Sequence, residues 1–474
     1  MKKQVLIYLL ARGIPGILNF LLIVKLTHLL QPQDYGKYVL IVALSTFINI
    51  AFFQWNKASL SRLLHIDALE YKGLISNTGS IFTTLSLVLI TVSSLIYFAF
   101  NSALFGEILT ASILGSLMAW QDLALELLRS RQNAALFAIV SIARPLSMLL
   151  AIYIIPDLNN PYSLIALLAI SILMSLSLSL GSSIAFIKLS FTKYHLRHIT
   201  SFGLPLAIGY ISGYAVSILN RILLGWVDSE RAAGLYSASF DIVWQTIVVL
   251  MMTVNLANYP VIMRKYELDG SGGVTVKMRQ NLSILLAISL PFVILFCISS
   301  REVADILLPP DFRSQAVYLL PTVALSALLM GIRSYHFDMS FHIHKMTKTQ
   351  TSLSLLIGVA SIPTSYVMIS YFGISGAAFS TLLMYSVHLI ATIALVKKNY
   401  DMKYSLNALR EIFMPCFGMI LSFVLLSSIL NNEYIYKAVV SLFIFYIIWI
   451  FISKRHTLPI AESVLNNAKS GGRL

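Results

Sequence analysis

Apolar residues along this chain neither alternate nor recur every third or fourth position; they run on. Fourteen such runs can be marked, approximately at 5–30, 36–56, 74–100, 104–128, 134–155, 162–187, 204–226, 234–262, 281–300, 316–338, 351–371, 374–396, 410–430 and 434–453, with short polar connections between them. Each is about long enough to cross a hydrocarbon layer of ~30 Å as a helix. Unbroken runs of this kind are not the in-and-out alternation of a membrane β-barrel. The pattern predicts an all-α integral membrane protein with about 14 transmembrane helices.

Composition agrees. Of 474 residues, 58% are hydrophobic and 11% charged, and mean hydropathy is +0.81, whereas soluble domains carry roughly a quarter charged residues. The formal charge of +14 would suggest nucleic acid in a soluble chain, but its distribution points elsewhere. Summed over alternate connections, 24 of the 34 Lys and Arg fall on one side. Arg231, Arg301 and Arg313 fall on the other, and seven lie within or at the edges of runs. By the positive-inside rule this predicts an even number of spans and cytoplasmic termini, and the charge then reports topology rather than a nucleic-acid partner. The N-terminal "MKKQVLIYLLARG" has basic flanking residues like a signal peptide but no small-residue cleavage site, so it is read as the first span.

Several functions are excluded. Cys297 and Cys416 both lie in apolar runs, no metal-ligand spacing is present, and no GxxxxGK[ST] loop occurs. All connections on the outer side are short, the longest running from about Arg301 to Gln315. They offer no room for the catalytic loops of a glycan transferase. The expectation is a protein that is not an enzyme and has no cofactor.

Internal repetition is visible between "KLTHLLQPQDYGKYVLI" (Lys25 to Ile41) and "LLGWVDSERAAGLYSAS" (Leu223 to Ser239), which places Gly36-x-Tyr38 on Gly234-x-Tyr236 at an offset of 198 residues. That offset is six runs, an even number, so the copies would share one orientation as a parallel repeat. A third junction rich in small residues, "YFGISGAAFSTLLMY" (Tyr371 to Tyr385), joins the eleventh and twelfth runs.

The succession "NRILLGW", polar bend, "GLYSAS", long apolar run and "NYPVIMRKY" (Asn258 to Tyr266), together with "LTHLLQPQDYGKYVLI" and "FGISGAAFSTLLMYSVHLI", resembles the polysaccharide-export, or O-antigen flippase, branch of the multidrug/oligosaccharidyl-lipid/polysaccharide exporter superfamily. The resemblance covers roughly residues 1–400. It implies two six-helix bundles, 1–200 and 201–400, around a cavity that opens to alternate sides. The remaining 401–474 would hold two further transmembrane helices and a cytoplasmic tail, a layout similar to that of the lipid II flippases. Sugar-exporting members flip oligosaccharides linked to undecaprenyl diphosphate.

Charges inside the spans are the candidate chemistry, because a charge at mid-membrane costs ~2.5–3.5 kcal/mol unless it finds a partner, water or the interface. Arg144 sits ten residues from either end of its run, directly before Pro145. Arg12 lies in a first helix interrupted by "GIPG", where the family's flippases also carry a cavity arginine. With Arg221 and Arg333 these form a cationic surplus over Asp122 and Asp241, which are candidates for proton or sodium coupling. Arg221 and Asp241 lie near the outer ends of their helices, so mutual pairing across the bend accounts for them as well as function does. Glu126, three residues before Arg129, reads as an interfacial pair. Guanidinium groups form charge-assisted, bidentate bonds with phosphates. For sugars, Asn19, Gln54, Trp120 and Gln245 are candidate contacts, with Asn49, Gln121 and Asn220 as further amides; each also serves as an ordinary helix-to-helix hydrogen bond or interfacial aromatic.

The expected function is outward flipping of a polyprenyl-diphosphate-linked oligosaccharide (O-antigen, capsule or exopolysaccharide unit) by alternating access. A drug or cation antiporter of the same superfamily is the alternative, and a membrane glycan polymerase a more distant one. Membrane lipid would be a partner throughout, and the polysaccharide polymerase with its chain-length machinery a further one.

Overall fold

A computed structural model describes residues 2–63, 71–155, 158–183, 190–397, 406–429 and 434–453. Those residues are helical almost throughout. In chain order the helices are α1 (Lys2–Leu29), α2 (Pro32–Phe52), α3 (Gln54–Leu63), α4 (Tyr71–Phe100), α5 (Ala103–Ser130), α6 (Ala134–Ile154), α7 (Pro161–Ser177), α8 (Leu180–Ser183), α9 (Lys193–Val227), α10 (Glu230–Val243), α11 (Val249–Ile298), α12 (Ser300–Leu307), α13 (Pro310–Ile332), α14 (Asp338–Ile343), α15 (Thr347–Val396), α16 (Leu406–Ile429) and α17 (Tyr434–Ser453). Single π-turns, Trp244–Val248 and Arg333–Phe337, join α10 to α11 and α13 to α14.

Hydrocarbon offers no hydrogen bonds, so a spanning segment must satisfy its backbone internally, and a helix does this residue by residue. Pro32, Pro161 and Pro310 stand in the first turns of α2, α7 and α13, where an N–H would have no intrahelical acceptor. The Asn133 and Asn160 side chains accept from the Leu136 and Tyr162 N–H groups at the starts of α6 and α7. The described residues of each expected span are helical apart from isolated turns such as those at Phe53 and Leu178. Among the described residues eight stretches are long and apolar enough to cross a membrane, and five shorter apolar helices accompany them.

Four local expectations change. The connection after residue 56 is helical as far as Leu63, the end of α3. The polar stretch from Ser300 is also a helix, α12. Pro15 does not break α1, which is continuous around it. The sixth run is interrupted by a turn after Ser177 and resumes as α8, and its expected end near 187 lies outside the described residues. By contrast, the junction expected between residues 371 and 374 is where α15 bends, at Gly373 with φ +56°, a left-handed value that glycine adopts without a side-chain clash.

The chain forms two compact units. The first comprises Ile7–Ser237 and Ser354–Thr381; the second comprises Met1–Leu6, Ala238–Leu353 and Leu382–Leu474. In the first unit α2 is central, packed against α5, α7 and α9. In the second, α11 packs against α13, α16 and α17, with one apolar cluster at Ile262, Val274, Met278, Met339 and Ile343.

The two glycines of the sequence repeat meet inside the first unit. A Cβ on Gly36 would overlap the Glu230 carbonyl, and one on Gly234 would overlap the Pro32 carbonyl, so the first turns of α2 and α10 are in backbone contact. Tyr38 and Tyr236, two residues on, are both buried. Gly234→Leu is expected to destabilise by about 1–3 kcal/mol or more through overpacking, visible as a lower thermal midpoint in detergent. Gly13→Ala is the matched control, since nothing lies within 4 Å of a Cβ there; equal midpoints for the two variants would remove the close-approach argument.

Candidate functional site

α5 places Gln121 and Asp122 side by side. Successive side chains on a helix point about 100° apart, so the two turn toward different neighbours. Gln121 faces α6 and α7. Arg144 Nη1 on α6 donates to Gln121 Oε1 at 3.3 Å, Gln121 Nε2 donates to Ser175 Oγ on α7 at 2.8 Å, and Ser175 Oγ donates to the Val140 carbonyl at 2.8 Å. The relay therefore leaves α6 at Arg144 and returns to it one turn earlier. Pro145, buried beside Arg144, has no N–H to give the Ser141 carbonyl, so the backbone here already departs from regular helix bonding.

Asp122 faces α2 and α3. Three donors converge on its Oδ2: Gln54 Nε2 at 2.6 Å, Asn49 Nδ2 at 3.2 Å and Lys57 Nζ at 3.6 Å. Its Oδ1 takes no hydrogen bond from the described residues, and the carboxylate side chain is 36% exposed. One turn further along α5, Glu126 pairs with Arg129 at 2.7 Å, as the spacing predicts, and Arg129 also reaches Ser61 Oγ at 3.3 Å.

Arg144 has spare bonding capacity. A guanidinium carries five N–H donors, and among the described residues the one hydrogen bond it makes is to Gln121. Asp122 and Tyr38 are close enough to act on its charge, but no carboxylate of the described residues is in ion-pair contact with it. The arrangement presents cationic donors, two amides and a half-exposed carboxylate together, which suits an anion carrying hydroxyl groups.

The other candidates fall elsewhere. Arg333, in the π-turn of the second unit, is paired with a carboxylate: Nη1 meets Asp338 Oδ2 at 2.9 Å and His388 Nε2 at 3.3 Å, and Nη2 donates to Ser334 Oγ at 2.6 Å. Gln245 and Asp241 also belong to the second unit, Gln245 in a π-turn whose Trp244 stacks on Phe240 at 5.0 Å. Asp241 and Arg221 are both engaged with neighbouring groups, and Arg221 lies in the first unit. Trp120 stands edge-on to Phe82 at 5.7 Å, part of an aromatic cluster with Phe53. Asn19 is half-buried on α1. Arg12 is on the same helix, with its side chain outside the described set. Asn220 spends its amide on the Ala377 carbonyl, Ser380 and Thr381, pinning α9 to α15.

Lys57 and Ser175 join the site without having been expected there. Lys57 reads as a connection charge in the sequence, and only the helical continuation through α3 turns it back toward Asp122. The signal available was the run Gln54-Trp55-Asn56-Lys57, more polar than the apolar span it follows.

No curated protein matches the chain by sequence. Its fold is shared with a lipid II flippase, MurJ, in an inward closed conformation, with a TM-score of 0.76 and 12% identity over 97% of this chain and 100% of that one. A multidrug resistance MATE family transporter of the MOP superfamily, inward-facing, gives 0.59 and 13% identity over 83% and 96%. A MOP superfamily transporter from Pyrococcus furiosus gives 0.58 and 13% over 84% and 95%. These are a flippase and two transporters, not enzymes. Residues 25–316 match the family described as "Polysaccharide biosynthesis protein", a stretch that includes every residue of the Gln121 and Asp122 networks, and the chain belongs to that family.

Proposed function

We propose that this protein flips polyprenyl-diphosphate-linked oligosaccharide units, the precursors of O-antigen, capsule or exopolysaccharide, from the cytoplasmic to the outer face of a bacterial inner membrane. Both termini are cytoplasmic on this reading. The observation that carries it is Arg144, a guanidinium in mid-span with most of its donors unspent, next to a carboxylate with one free oxygen. The diphosphate takes Arg144 by charge-assisted bonds. Sugar hydroxyls donate to Asp122 Oδ1 and pair with Gln54 and Asn49. The polyprenyl tail stays in lipid, and alternating access by two bundles, 1–200 and 201–400, carries the head group across. Arg12 and Arg221 extend the cationic lining, Asn19 and Trp120 the sugar contacts, and Gln245 is a separate sugar-contact candidate within the second unit.

No bond is made or broken in this cycle. A membrane potential negative inside favours outward movement of an anion by ~2.3 kcal/mol per charge per 100 mV. Coupling to a proton or sodium ion is assigned to Asp122, where an arriving cation competes with Lys57, with Asp241 as the second candidate. Downstream partners are the polymerase and chain-length machinery that consume the flipped unit.

Removing the protein should make lipid-linked oligosaccharide accumulate on the cytoplasmic face, measured by differential extraction and labelling. A change in glycan chain length without accumulation identifies a polymerase instead, and loss of cation or drug efflux an antiporter. Arg144→Ala should lower export about 10- to 100-fold at unchanged membrane abundance, the worth of one hydrogen bond to a charged group; Arg144→Lys should recover only part of it, because an ammonium lacks the planar fork. Wild-type export by Arg144→Ala would sink the anion-site reading.

Arg333 should behave differently. Arg333→Met leaves the buried Asp338 without its counter-charge, a loss of about 3–5 kcal/mol, so the variant should be depleted from the membrane. The double variant Arg333→Met with Asp338→Leu should regain abundance, and recovery of export along with it would mark the pair as scaffold.

A further inference from the structure

At the end of the first unit away from the basic connections, the α4–α5 turn and the start of α7 enclose a cavity of about 400 Å³. At about 30 Å³ per water it holds about thirteen waters, the size of a mono- or disaccharide, and it falls in the range of small-molecule sites. Two tyrosine rings, Tyr97 and Tyr162, line it together with Asn101, Ser102, Gly106 and Thr110. Gly106 lies under the edge of Tyr97, where a Cβ would come within 3.3 Å of the ring, so a larger side chain would displace the ring or fill the space.

Thr110 donates its hydroxyl to the Gly106 carbonyl at 2.8 Å and Tyr162 meets Lys37, but Asn101 and Ser102 leave polar lining unspent. Asn101 adopts φ 43°, a left-handed value that asparagine tolerates better than most residues, and its N–H bonds the Tyr97 carbonyl at 2.7 Å. Its side chain makes no hydrogen bond with the described residues. Ser102 stands at the N-cap of α5, yet its hydroxyl does not cap the helix. An amide and a hydroxyl are thus held beside two aromatic rings, and amides and hydroxyls over ring faces are what a sugar needs: hydrogen bonds for its O–H groups and a flat apolar surface for its C–H face.

Charge around the cavity decides against the other occupants. Lys37 sits over the Tyr162 ring, 5.3 Å from its centroid, but is paired with Glu107 at 3.5 Å and lies 4.0 Å from Glu230. A phosphate head group therefore meets a cation already matched by two carboxylates. A cationic ligand meets carboxylates already committed to Lys37. A neutral polyol meets neither obstacle. Exposed Phe98, Phe100 and Leu104 surround the turn, which places the opening where the helices reach the membrane surface.

We propose that this cavity is a binding site for neutral saccharide, separate from the Arg144 and Asp122 networks. Thr110 and Gln121 are eleven residues apart on α5, about three turns, so one helix carries both sites on the same stripe some 16 Å apart. The saccharide is the glycan of the proposed export substrate, and to that extent the assignment rests on the flippase reading; the lining chemistry does not.

The test uses the full chain in nanodiscs, with chitobiose, lactose and maltose as probes in saturation-transfer difference NMR. At least one disaccharide should receive saturation on its ring protons. The signal should vanish in Tyr97→Ala and Gly106→Leu. Asn101→Gly, which keeps the left-handed backbone and removes only the amide, should weaken binding about three- to tenfold, the worth of one net hydrogen bond. Arg144→Ala should keep the signal while losing export, so the site and the transport reading fail separately. The proposal is overturned if no probe is saturated, if the three cavity variants bind like the parent, or if native mass spectrometry shows that Tyr97→Ala and Asn101→Gly lose a bound phosphatidylglycerol instead.

Discussion

Polar side chains taken into hydrocarbon must find their hydrogen bonds within the protein, and the first unit is organised by how it meets that demand. Gln121 satisfies both ends of its amide by accepting from Arg144 and donating to Ser175, whose proton goes on to the Val140 carbonyl. Three helices, α5, α6 and α7, are tied by one chain of donors. Asn220 does the same for α9 and α15. Groups whose capacity is fully used in this way are scaffold. Arg144 and Asp122 Oδ1 keep capacity left over, and these are the groups that the proposed substrate would use.

The same demand depends on close helix approach. Gly115 on α5 lies so near α2 that a Cβ there would come within 2.7 Å of the Ser45 carbonyl. Four residues on from Ser45 is Asn49, and seven on from Gly115 is Asp122, one and two turns along helices already in contact. The 3.2 Å bond between them follows from that proximity. Lys57 and Gln54 complete the cluster because α3 continues, after a bend at Phe53, what α2 began. A glycine with no chemistry of its own thereby sets the geometry of the charged site.

The helices and most of their ends were legible because length and apolarity fix them, and the Gly373 bend because a small-residue junction is visible between two runs. Arg144, Asp122, Gln121, Gln54 and Asn49 were each recognisable as polar residues in oil, and the structure gathers them into two adjoining networks. What the sequence hid was partnership. Arg144 and Arg333 look alike as single letters, yet Arg333 has Asp338 five residues on and His388 on another helix to absorb it, while Arg144 has a neutral amide. Trp120 likewise reads as a lone ring in the sequence, and the structure sets Phe82 edge-on to it. Periodicity reports which face a residue is on; it does not report which side chain of another helix arrives at that face.

Charge pairing gives the remaining constraint on what can bind. Lys57 is matched by Asp122, Lys37 by Glu107 and Glu230, Arg129 by Glu126, and Arg333 by Asp338. Arg144 stands apart from these pairs as a mid-span cation whose nearest hydrogen-bond partner is uncharged. A cation in low dielectric without a contacting anion is costly, and the cost falls when an anion binds. On the proposed reading the diphosphate both occupies Arg144 and removes that cost. The site then binds its anion more tightly than its exposed charges alone would allow, and a cationic cargo meets the opposite balance.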